Sequence, residues 1–290
     1  MEGFAAYFMI SQASVLQLIE CNEIHIKPLV QLSSSIDWDY SREDLETIMS
    51  TGRIFAHQTE QGEIVSSGAL VTYGGKMTCI GMVIVHPNYQ GVGLGTEIMR
   101  HCLSLLGNQS AMLIATEEGK PMYEKLGFLT VSAVRKYFCV APVRNSKHDF
   151  IKPYDSLDLS SVLRLDAEAF GDERQSFLRK RIEQATKRRV LRKSEEICGF
   201  GLAVETSQNL ILGPIVAPTA EDAVALVRDL VQGYRGKLRI DVPTEQKSFQ
   251  QLLEQSGFVF VNEPPIMIYG VNSLDKRNGD LYSIAAQIFG

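Results

Sequence analysis

The feature that most constrains the fold of this 290-residue chain is a run of glycines between a predicted strand and a predicted helix. Residues 77–85 form an apolar run rich in Val and Ile that Pro87 closes, which is typical of a buried strand. After a polar turn come three alternating glycines: Gly91, Gly93 and Gly95. An apolar stripe at helical spacing then begins: Ile98, Cys102 and Leu106. The segment therefore predicts a strand, a glycine loop and a helix in direct succession.

Glycines at such a junction predict a binding site for an anion. Without Cβ atoms the backbone can turn tightly and direct several N–H groups the same way. The positive end of the helix dipole lies behind these groups and adds to the attraction. We therefore expect the loop to bind a phosphate or a pyrophosphate.

The spacing of the glycines distinguishes between classes of phosphate loop. A dinucleotide fingerprint needs Gly-x-Gly-x-x-Gly directly after the strand, whereas here Gly-x-Gly-x-Gly follows the intervening residues 86–90. A Walker loop needs Gly-Lys-Ser/Thr, and no such triplet follows. Gln90-x-x-Gly93-x-Gly95, preceded by Val85-His86-Pro87, resembles the acetyl-CoA motif of the GNAT superfamily of N-acetyltransferases. One or two glycines are common in an ordinary turn, but three in this context favour a binding role.

A second segment carries the same resemblance. Residues 111–116 read as a short buried strand, and a short helix follows that Gly127 ends. The run Tyr123-Glu-Lys-Leu-Gly-Phe128 resembles the GNAT pattern in which the helix after the fifth strand ends in Gly-Phe. With Trp38 and the Ala115-Thr116-x-x-Gly119 step, the chain is similar to a bacterial GNAT subgroup that has an appended second domain.

The second half of the chain repeats these landmarks. Val216-Ala217-Pro218 follows an apolar strand, as Val85-His86-Pro87 does, and Leu253-Glu-Gln-Ser-Gly257-Phe258 matches the first Gly-Phe ending. The separation from Pro87 to Gly127 is 40 residues, and that from Pro218 to Gly257 is 39. Two matching landmarks at nearly equal separation predict an internal repeat.

The repeat predicts an α/β (α+β) fold of two tandem GNAT-like domains, each a mixed, mostly antiparallel sheet flanked by helices. We expect a catalytic domain over residues 1–146, a linker near 142–148 and an accessory domain over 147–290. In the second copy Thr219-Ala220-Glu221-Asp222 replaces the glycines, and Leu253 stands where the first copy has Tyr123. Two carboxylates at a helix N-terminus would repel a pyrophosphate. The second copy is therefore expected to be a scaffold.

Composition excludes several classes of protein. A net charge of −5 argues against broad nucleic-acid binding and is compatible with cationic substrates. The five cysteines are scattered without a Cys-x-x-Cys pair, which is typical of reduced thiols in the cytoplasm, and the histidines show no metal-ligand spacing. Residues 4–19 are too short and too interrupted by polar side chains to cross a membrane, so a surface helix is expected there.

Two local elements are predicted near the start of the chain. Ile24 to Lys27 is expected to form the first strand. Ser41 is expected to cap a helix, with Asp44 as its capping-box partner.

The GNAT resemblance implies which residues bind acetyl-CoA. Main-chain N–H groups of residues 91–96, the Gln90 side chain and the Thr96 hydroxyl are expected on the pyrophosphate. The main chain of Val83 and Val85 is expected to pair with pantetheine, with the Val83 N–H facing the thioester oxygen. The whole implied set is Val83, Val85, Gln90, Gly91, Val92, Gly93, Leu94, Gly95 and Thr96.

The resemblance also implies that Tyr123 is a general acid for the departing thiolate. A phenol with a pKa of about 10 can protonate a thiolate whose conjugate acid has a pKa of about 8.5. The alternative is a tyrosine that only packs on the inner face of its helix. No general base is assigned, since an amine can lose its proton to water through a polar channel.

The acceptor pocket is the least determined part of the site. Trp38, Tyr40 and Thr116 are expected to wall it, although a single Trp in a helical region is often a core residue. Nine Lys or Arg residues lie in the run from Arg174 to Lys193, and they indicate either a contact for the CoA 3′-phosphate or an acidic partner, or the solvated face of one amphipathic helix. We favour the solvated face. Arg174 is the exception, because Phe170-Gly171-Asp172-x-Arg174 resembles an accessory-domain motif and is expected to reach the cleft.

Together these features predict direct acetyl transfer from acetyl-CoA to a primary amine, in a monomer or a homodimer. A small-molecule amine, an amino acid, an aminoglycoside and a protein lysine all remain open as acceptors. The main alternative is a non-catalytic acyl-CoA sensor. A generic phosphate-binding protein is a weaker one.

Overall fold

The computed structural model describes residues 16–38, 40–140, 148–274 and 277–290, whose strands form one continuous mixed sheet flanked by helices. The strands are β1 Gln17–Glu20, β2 Gly52–Gln58, β3 Ile64–Thr72, β4 Met77–Val85, β5 Ser110–Ile114, β6 Leu129–Cys139, β7 Ile151–Pro153, β8 Lys187–Lys193, β9 Glu196–Glu205, β10 Leu210–Val216, β11 Leu238–Pro243, β12 Val259–Asn262, β13 Pro265–Tyr269 and β14 Leu281–Ser283. The α-helices are α1 Ile26–Ser34, α2 Arg42–Thr51, α3 Leu94–Ser104, α4 Lys120–Lys125, α5 Leu159–Phe170, α6 Gln175–Gln184, α7 Ala220–Leu230 and α8 Lys247–Gln255.

The first half of the chain begins with an antiparallel meander, β1 to β4, after which α3 leads to β5. β5 pairs in parallel with β4 only at the start of both strands, from Met77 opposite Ser110 to Cys79 opposite Met112. Met82 has a φ of 53° in β4, and the β3–β4 register shifts beside it. A positive φ at a residue with a side chain marks local strain. Because β4 and β5 do not pair beyond Cys79 and Met112, these two strands are separated at their C-terminal ends.

The second half repeats this topology. β8, β9 and β10 are antiparallel, and α7 leads from β10 to the parallel strand β11, as α3 leads from β4 to β5. A helix then follows in each half, α4 in the first and α8 in the second. The repeat that the landmarks predict is therefore visible in the order of elements.

The two halves exchange strands around β6. The first part of β6, from Leu129 to Ala133, pairs with β13, which also pairs with β5. The second part, from Val134 to Cys139, pairs with β11, and residues from Lys136 to Phe138 also pair with β12. Within the one sheet, β13 of the second half thus lies between β5 and β6, and the end of β6 pairs with β11 and β12 of the second half. The predicted domain boundary at 146/147 lies outside the described residues and stays a prediction.

Three local predictions were wrong. Ile24 to Lys27 is helical, because the Asn22 side chain accepts from the Ile24 N–H at 3.2 Å and starts a turn that runs into α1. Of the expected surface helix over 4–19, residues 1–15 lie outside the described residues, and Gln17–Glu20 is a strand. The basic run from Arg174 divides into α6 and the sheet strand β8. The Ser41 cap is confirmed, with its oxygen 3.2 Å from the Asp44 nitrogen.

No helix among the described residues has both the length and the apolar character that crossing a bilayer requires.

Candidate active site

The glycine loop begins where β4 ends and becomes the first turn of α3. Gly91 has a φ of 81° and Gly93, the residue that caps α3, a φ of 94°. A Cβ atom at either position would meet no atom within 4 Å. The left-handed backbone therefore requires glycine here, and the space in front of the loop is open.

The N–H groups of this loop are available to an anion. Within the described part of the chain, the N–H groups of residues 91–96 donate to no main-chain acceptor. Val92 is 71% exposed, so the loop lies at the surface. An eleven-residue helix with its first N–H groups free toward solvent fits a pyrophosphate. Gln90 differs from the expectation in this structure, because its Nε2 donates to the Val85 carbonyl oxygen at 3.1 Å.

Between the loop and the paired start of β4, the strands β4 and β5 no longer pair, and we call the space between them the β4–β5 groove. Val83 and Val85 are half-buried on the part of β4 that has separated from β5. A Cβ atom on Gly95 would lie 3.5 Å from Val85 Cγ2 and 3.4 Å from Met122 Sδ. Loop, strand and α4 therefore meet closely at Gly95. Main-chain groups on the separated edge of β4 suit an extended ligand that pairs like an added strand.

Tyr123 lies on α4, in the same apolar cluster as Val83 of β4, and does not itself line the cavity described below. Its side chain is 7% exposed and packs edge-on against Phe128, with 5.9 Å between the ring centroids. Burial raises the pKa of the Tyr123 phenol, because the phenolate loses its hydration. A Cβ atom on Gly119 would lie 2.9 Å from Tyr123 Cε2 and 3.3 Å from Thr116 Oγ1. Tyr123 and Thr116 are therefore neighbours across the start of α4.

A cavity of about 260 Å³ adjoins the separated end of β4. Trp38, Tyr40 and Thr116 all line it, as do Gly81 and Met82 at the β4 irregularity. The Trp38 and Tyr40 rings are tilted at 50° with centroids 6.2 Å apart. The structure thus brings together three of the four residues that the sequence predicts for the acceptor pocket.

Arg174 does not follow the prediction. Its side chain is buried and does not line the cavity. The guanidinium forms two hydrogen bonds to the Asp166 carboxylate, at 2.7 and 2.9 Å, and lies 4.0 Å above the Phe170 ring. It also donates to the main-chain oxygens of Phe289 and Gly290, at 3.0 and 3.1 Å. Arg174 therefore contacts the cavity wall through the main-chain oxygen of Phe289, in the C-terminal segment, residues 284–290.

The C-terminal segment and the β9–β10 hairpin were not predicted from the sequence to line the cavity. Residues 286–289 line the cavity, and so do Thr206 and Gln208 in the β9–β10 hairpin. Four charged residues also line it: Asp37, Asp44, Lys136 and Arg239. Of these, only Asp44 is named in the sequence analysis, as the capping-box partner of Ser41 and not as a cavity residue. Asp37, Lys136 and Arg239 come from elements far apart in the chain, so no local motif marks them.

In the second copy of the topology, the described residues occupy the space between the two parallel strands. β10 and β11 pair in parallel at Leu210 and Ile211, and β14 then lies between them. The Ser283 hydroxyl donates to the Leu212 carbonyl at 2.7 Å, and the Ile284 N–H donates to the Asp241 carbonyl at 3.0 Å. A Cβ atom on Gly213 would lie 2.0 Å from the Ile284 oxygen, so only glycine allows this approach. The chain itself therefore fills the space between β10 and β11 beyond their paired residues.

Comparisons with known proteins agree with this architecture. Two family models, each described as an acetyltransferase (GNAT) domain, match residues 50–129 and 162–283. The Bacillus subtilis (strain 168) protein described as the uncharacterized N-acetyltransferase YitH is 34% identical over 279 residues, which cover 94% of this chain and 98% of that protein.

Solved structures share the fold. A Pyrococcus horikoshii protein assigned to the acetyltransferases aligns with a TM-score of 0.81 at 20% identity, covering 99% of this chain and 100% of that one. A tandem GNAT protein from the clavulanic acid biosynthesis pathway aligns with a TM-score of 0.66 at 12% identity, covering 89% and 100%. Domain matches in both halves and the full-length relative establish the family: this chain belongs to the GNAT acetyltransferases and is an N-acetyltransferase with two GNAT domains in tandem.

Proposed function

We propose that the chain transfers the acetyl group of acetyl-CoA to a primary amine of a small molecule that enters the cavity beside β4. One observation carries the proposal. The cavity meets the separated part of β4 at Gly81 and Met82, and Thr116, which lines the cavity, is adjacent to Tyr123. An acceptor in the cavity would therefore lie beside the unpaired part of β4 and beside the start of α4, where Tyr123 lies.

Acetyl-CoA supplies an acetyl group that its thioester activates for transfer. The N–H groups of residues 91–96 bind the pyrophosphate, together with the Thr96 hydroxyl. The main chain of Val83 and Val85 aligns the pantetheine arm, and the Val83 N–H faces the thioester oxygen. Gln90 must release the Val85 carbonyl before its side chain can contact phosphate.

Tyr123 holds the proton for the departing thiolate. A tyrosine with its ordinary pKa of about 10 is already protonated at neutral pH, and burial raises the pKa of Tyr123 further. The position of the ring between Phe128 and the start of α4 fixes its direction. No carboxylate is assigned as a base, since the amine can lose its proton to water.

The size of the cavity supports a small acceptor. Its volume of about 260 Å³ lies below the range of roughly 300–1,000 Å³ typical of sites for drug-sized ligands. The C-terminal segment and the β9–β10 hairpin both wall it. We propose that residues 1–146 carry the acetyl-CoA site, and that residues 147–290 bind no acetyl-CoA and shape the acceptor cavity.

Acetyl-CoA turnover against a panel of amines, followed as release of free thiol, tests this proposal. Thiol release that depends on the amine and yields the N-acetylated product would support it. Tight binding of acetyl-CoA with no thiol release above the buffer rate, for any amine, would instead favour the non-catalytic sensor. The buried phenol on α4 argues for the enzyme, because cofactor binding alone needs no proton donor there.

A further inference from the structure

A buried polar pair lies beneath the first turn of α3. In the register of the sheet, His57 of β2 lies opposite Leu18 of β1 and Ser66 of β3, and Ser66 lies opposite Val85 of β4. Residues opposite one another share a face of the sheet. The row ends at the glycine loop, because a Cβ atom on Gly95 would lie 3.5 Å from Val85 Cγ2. His57 and Ser66 are 2% and 0% exposed, so the pair is enclosed.

The two nitrogens of the His57 ring have different neighbours. Nδ1 lies 2.7 Å from Ser66 Oγ, and Nε2 lies 3.4 Å from the carboxylate of Glu97 in the first turn of α3. A hydroxyl both donates and accepts, so Ser66 satisfies Nδ1 with or without a proton on it. Nε2 is buried and, among the residues that the structure describes, forms no hydrogen bond. Glu97 is 62% exposed, so its carboxylate is free to turn toward Nε2 when that nitrogen carries a proton.

The other charged groups on this face lie farther along it. Arg53 of β2 donates to Glu20 of β1 at 2.8 Å, so these two charges pair with each other. His101, one turn further along α3, packs edge-on against Phe55 with 4.5 Å between the ring centroids. Within the described part of the chain, the carboxylate in the first turn of α3 is thus the charged group at ion-pair distance from His57.

The charge on Glu97 opposes the arrival of a phosphate at the loop. A carboxylate in the first turn of a helix interacts with its positive end, where an anionic ligand would also bind. An imidazolium at 3.4 Å compensates this carboxylate, whereas a neutral imidazole does not. Histidine changes its charge near neutral pH, so the compensation follows pH.

We propose that His57 is a positioning residue for acetyl-CoA binding: it takes up a proton from solvent when the pyrophosphate reaches the glycine loop, and the imidazolium then holds and neutralises Glu97. The affinity for acetyl-CoA therefore rises as the pH falls from about 8 to about 6. This inference rests on the proposed function, since it assigns a role to residues behind the proposed cofactor site.

Counting protons by calorimetry tests it. Acetyl-CoA is titrated into the full chain at several pH values from about 6 to about 8, in two buffers of different ionisation enthalpy. The titrations give the Kd and the number of protons taken up on binding. By linkage, a three- to tenfold change in affinity corresponds to uptake of about 0.3–0.5 proton at its midpoint. The phosphate groups of the ligand are the same in every titration, so the difference between wild type and variant belongs to the protein.

Two variants and a control assign the residues. His57→Gln keeps a polar side chain but takes up no proton, so it should lose the uptake of about 0.3–0.5 proton and most of the pH dependence of Kd. Glu97→Gln should also reduce the uptake, and at about pH 8 it should bind acetyl-CoA about threefold or more tightly than the wild type, because the opposing charge is gone. His101→Gln, on the same helix, should retain the uptake of the wild type.

The outcomes separate this inference from the proposed function. Binding of acetyl-CoA with equal proton uptake in wild type and His57→Gln would overturn the inference and leave the cofactor site standing. If His57→Gln does not fold, Glu97→Gln decides: unchanged uptake and no gain in affinity at about pH 8 would overturn it. Loss of uptake in His101→Gln but not in His57→Gln would assign the proton to the wrong histidine and overturn it as well. No binding of acetyl-CoA at any pH would contradict the proposed function and this inference together.

Discussion

The Arg174 guanidinium donates to the main-chain oxygen of Phe289 at 3.0 Å, although the two residues are 115 positions apart in the chain. Phe289 lines the acceptor cavity and Arg174 does not. The Tyr73 hydroxyl donates to the same oxygen at 2.6 Å. A tyrosine from the first half and an arginine from the second thus hold one wall of the cavity together.

We expect Arg174→Met to destabilise the protein and to weaken acceptor binding. Asp166 would then be a buried carboxylate without its cation, which costs about 3–5 kcal/mol of unfolding free energy. The KM for the acceptor should rise more than the KM for acetyl-CoA, because only the acceptor wall loses its anchor. Chemical denaturation and steady-state kinetics measure the two effects.

The double variant Arg174→Met/Asp166→Leu is the control for this prediction. It removes both charges, so it should recover part of the lost stability without restoring the acceptor KM. A single variant as stable as the wild type would show that the pair does not anchor the segment.

We expect Tyr123→Phe to lower kcat by roughly 10²–10⁴-fold, the range for loss of a general acid. The substitution keeps the ring that packs on Phe128, so the Kd for acetyl-CoA should hardly change. Tyr269→Phe is a matched control, since Tyr269 also packs on Phe128, with 5.4 Å between the ring centroids. An equal loss of turnover in both variants would mean that both tyrosines act by packing on Phe128 and that Tyr123 does not donate a proton.

The raised pKa of Tyr123 predicts the alkaline side of the pH profile. Burial disfavours the phenolate, so the acid form persists above the ordinary tyrosine pKa of about 10. With saturating acceptor, kcat should therefore not fall between roughly pH 8 and pH 10 through loss of this proton. A falling limb below pH 10 that Tyr123→Phe abolishes would show that the phenol ionises earlier than its burial implies.

Local signals in the sequence predicted the parts of the site that neighbouring residues form. The Ser41 cap and the loop from Gln90 to Gly95 each depend on a few adjacent residues, and the structure has both in place. The strand β13 between β5 and β6 was not predictable in this way. Its apolar residues fit any buried strand, and the choice of partner depends on contacts that β6 makes with both halves of the chain.

The burial of two arginines could not be predicted from the residues next to them in the sequence. Arg174 and Arg181 stand in a run of basic residues that reads as a solvated surface, yet both are fully buried. Their partners, Asp166, Phe289 and Ala285, lie in other segments of the chain. A charge pattern along one segment does not contain that information.

We expect Gly93→Val to abolish acetyl-CoA binding in a folded protein. The branched side chain would occupy the open space in front of the loop that the pyrophosphate needs. Calorimetry with acetyl-CoA and circular dichroism test the two parts of this statement. Native-like affinity in the variant would mean that the glycine loop is only a turn.

Gly62→Val is the matched control for backbone strain. Gly62 has a φ of 85° in the turn between β2 and β3, and a Cβ atom there would also meet nothing within 4 Å. Both variants therefore impose a similar strain, but only Gly93 faces the proposed cofactor. Gly62→Val should bind acetyl-CoA as the wild type does, with a comparable loss of Tm.

The last prediction is that each chain binds one acetyl-CoA. In the second half, Glu221 and Asp222 stand in the first turn of α7, so their charge already occupies the end of the helix that would attract a phosphate. The Thr219 hydroxyl accepts from the Asp222 N–H at 3.2 Å, which uses one of the donors that a pyrophosphate needs. β14 fills the space between β10 and β11, where Ser283 bonds to the Leu212 carbonyl. Calorimetric titration of the intact chain should therefore give a stoichiometry near one, and Gly93→Val should remove all the binding heat. A stoichiometry near two, with one site surviving in Gly93→Val, would show that β14 leaves this groove to admit a second cofactor.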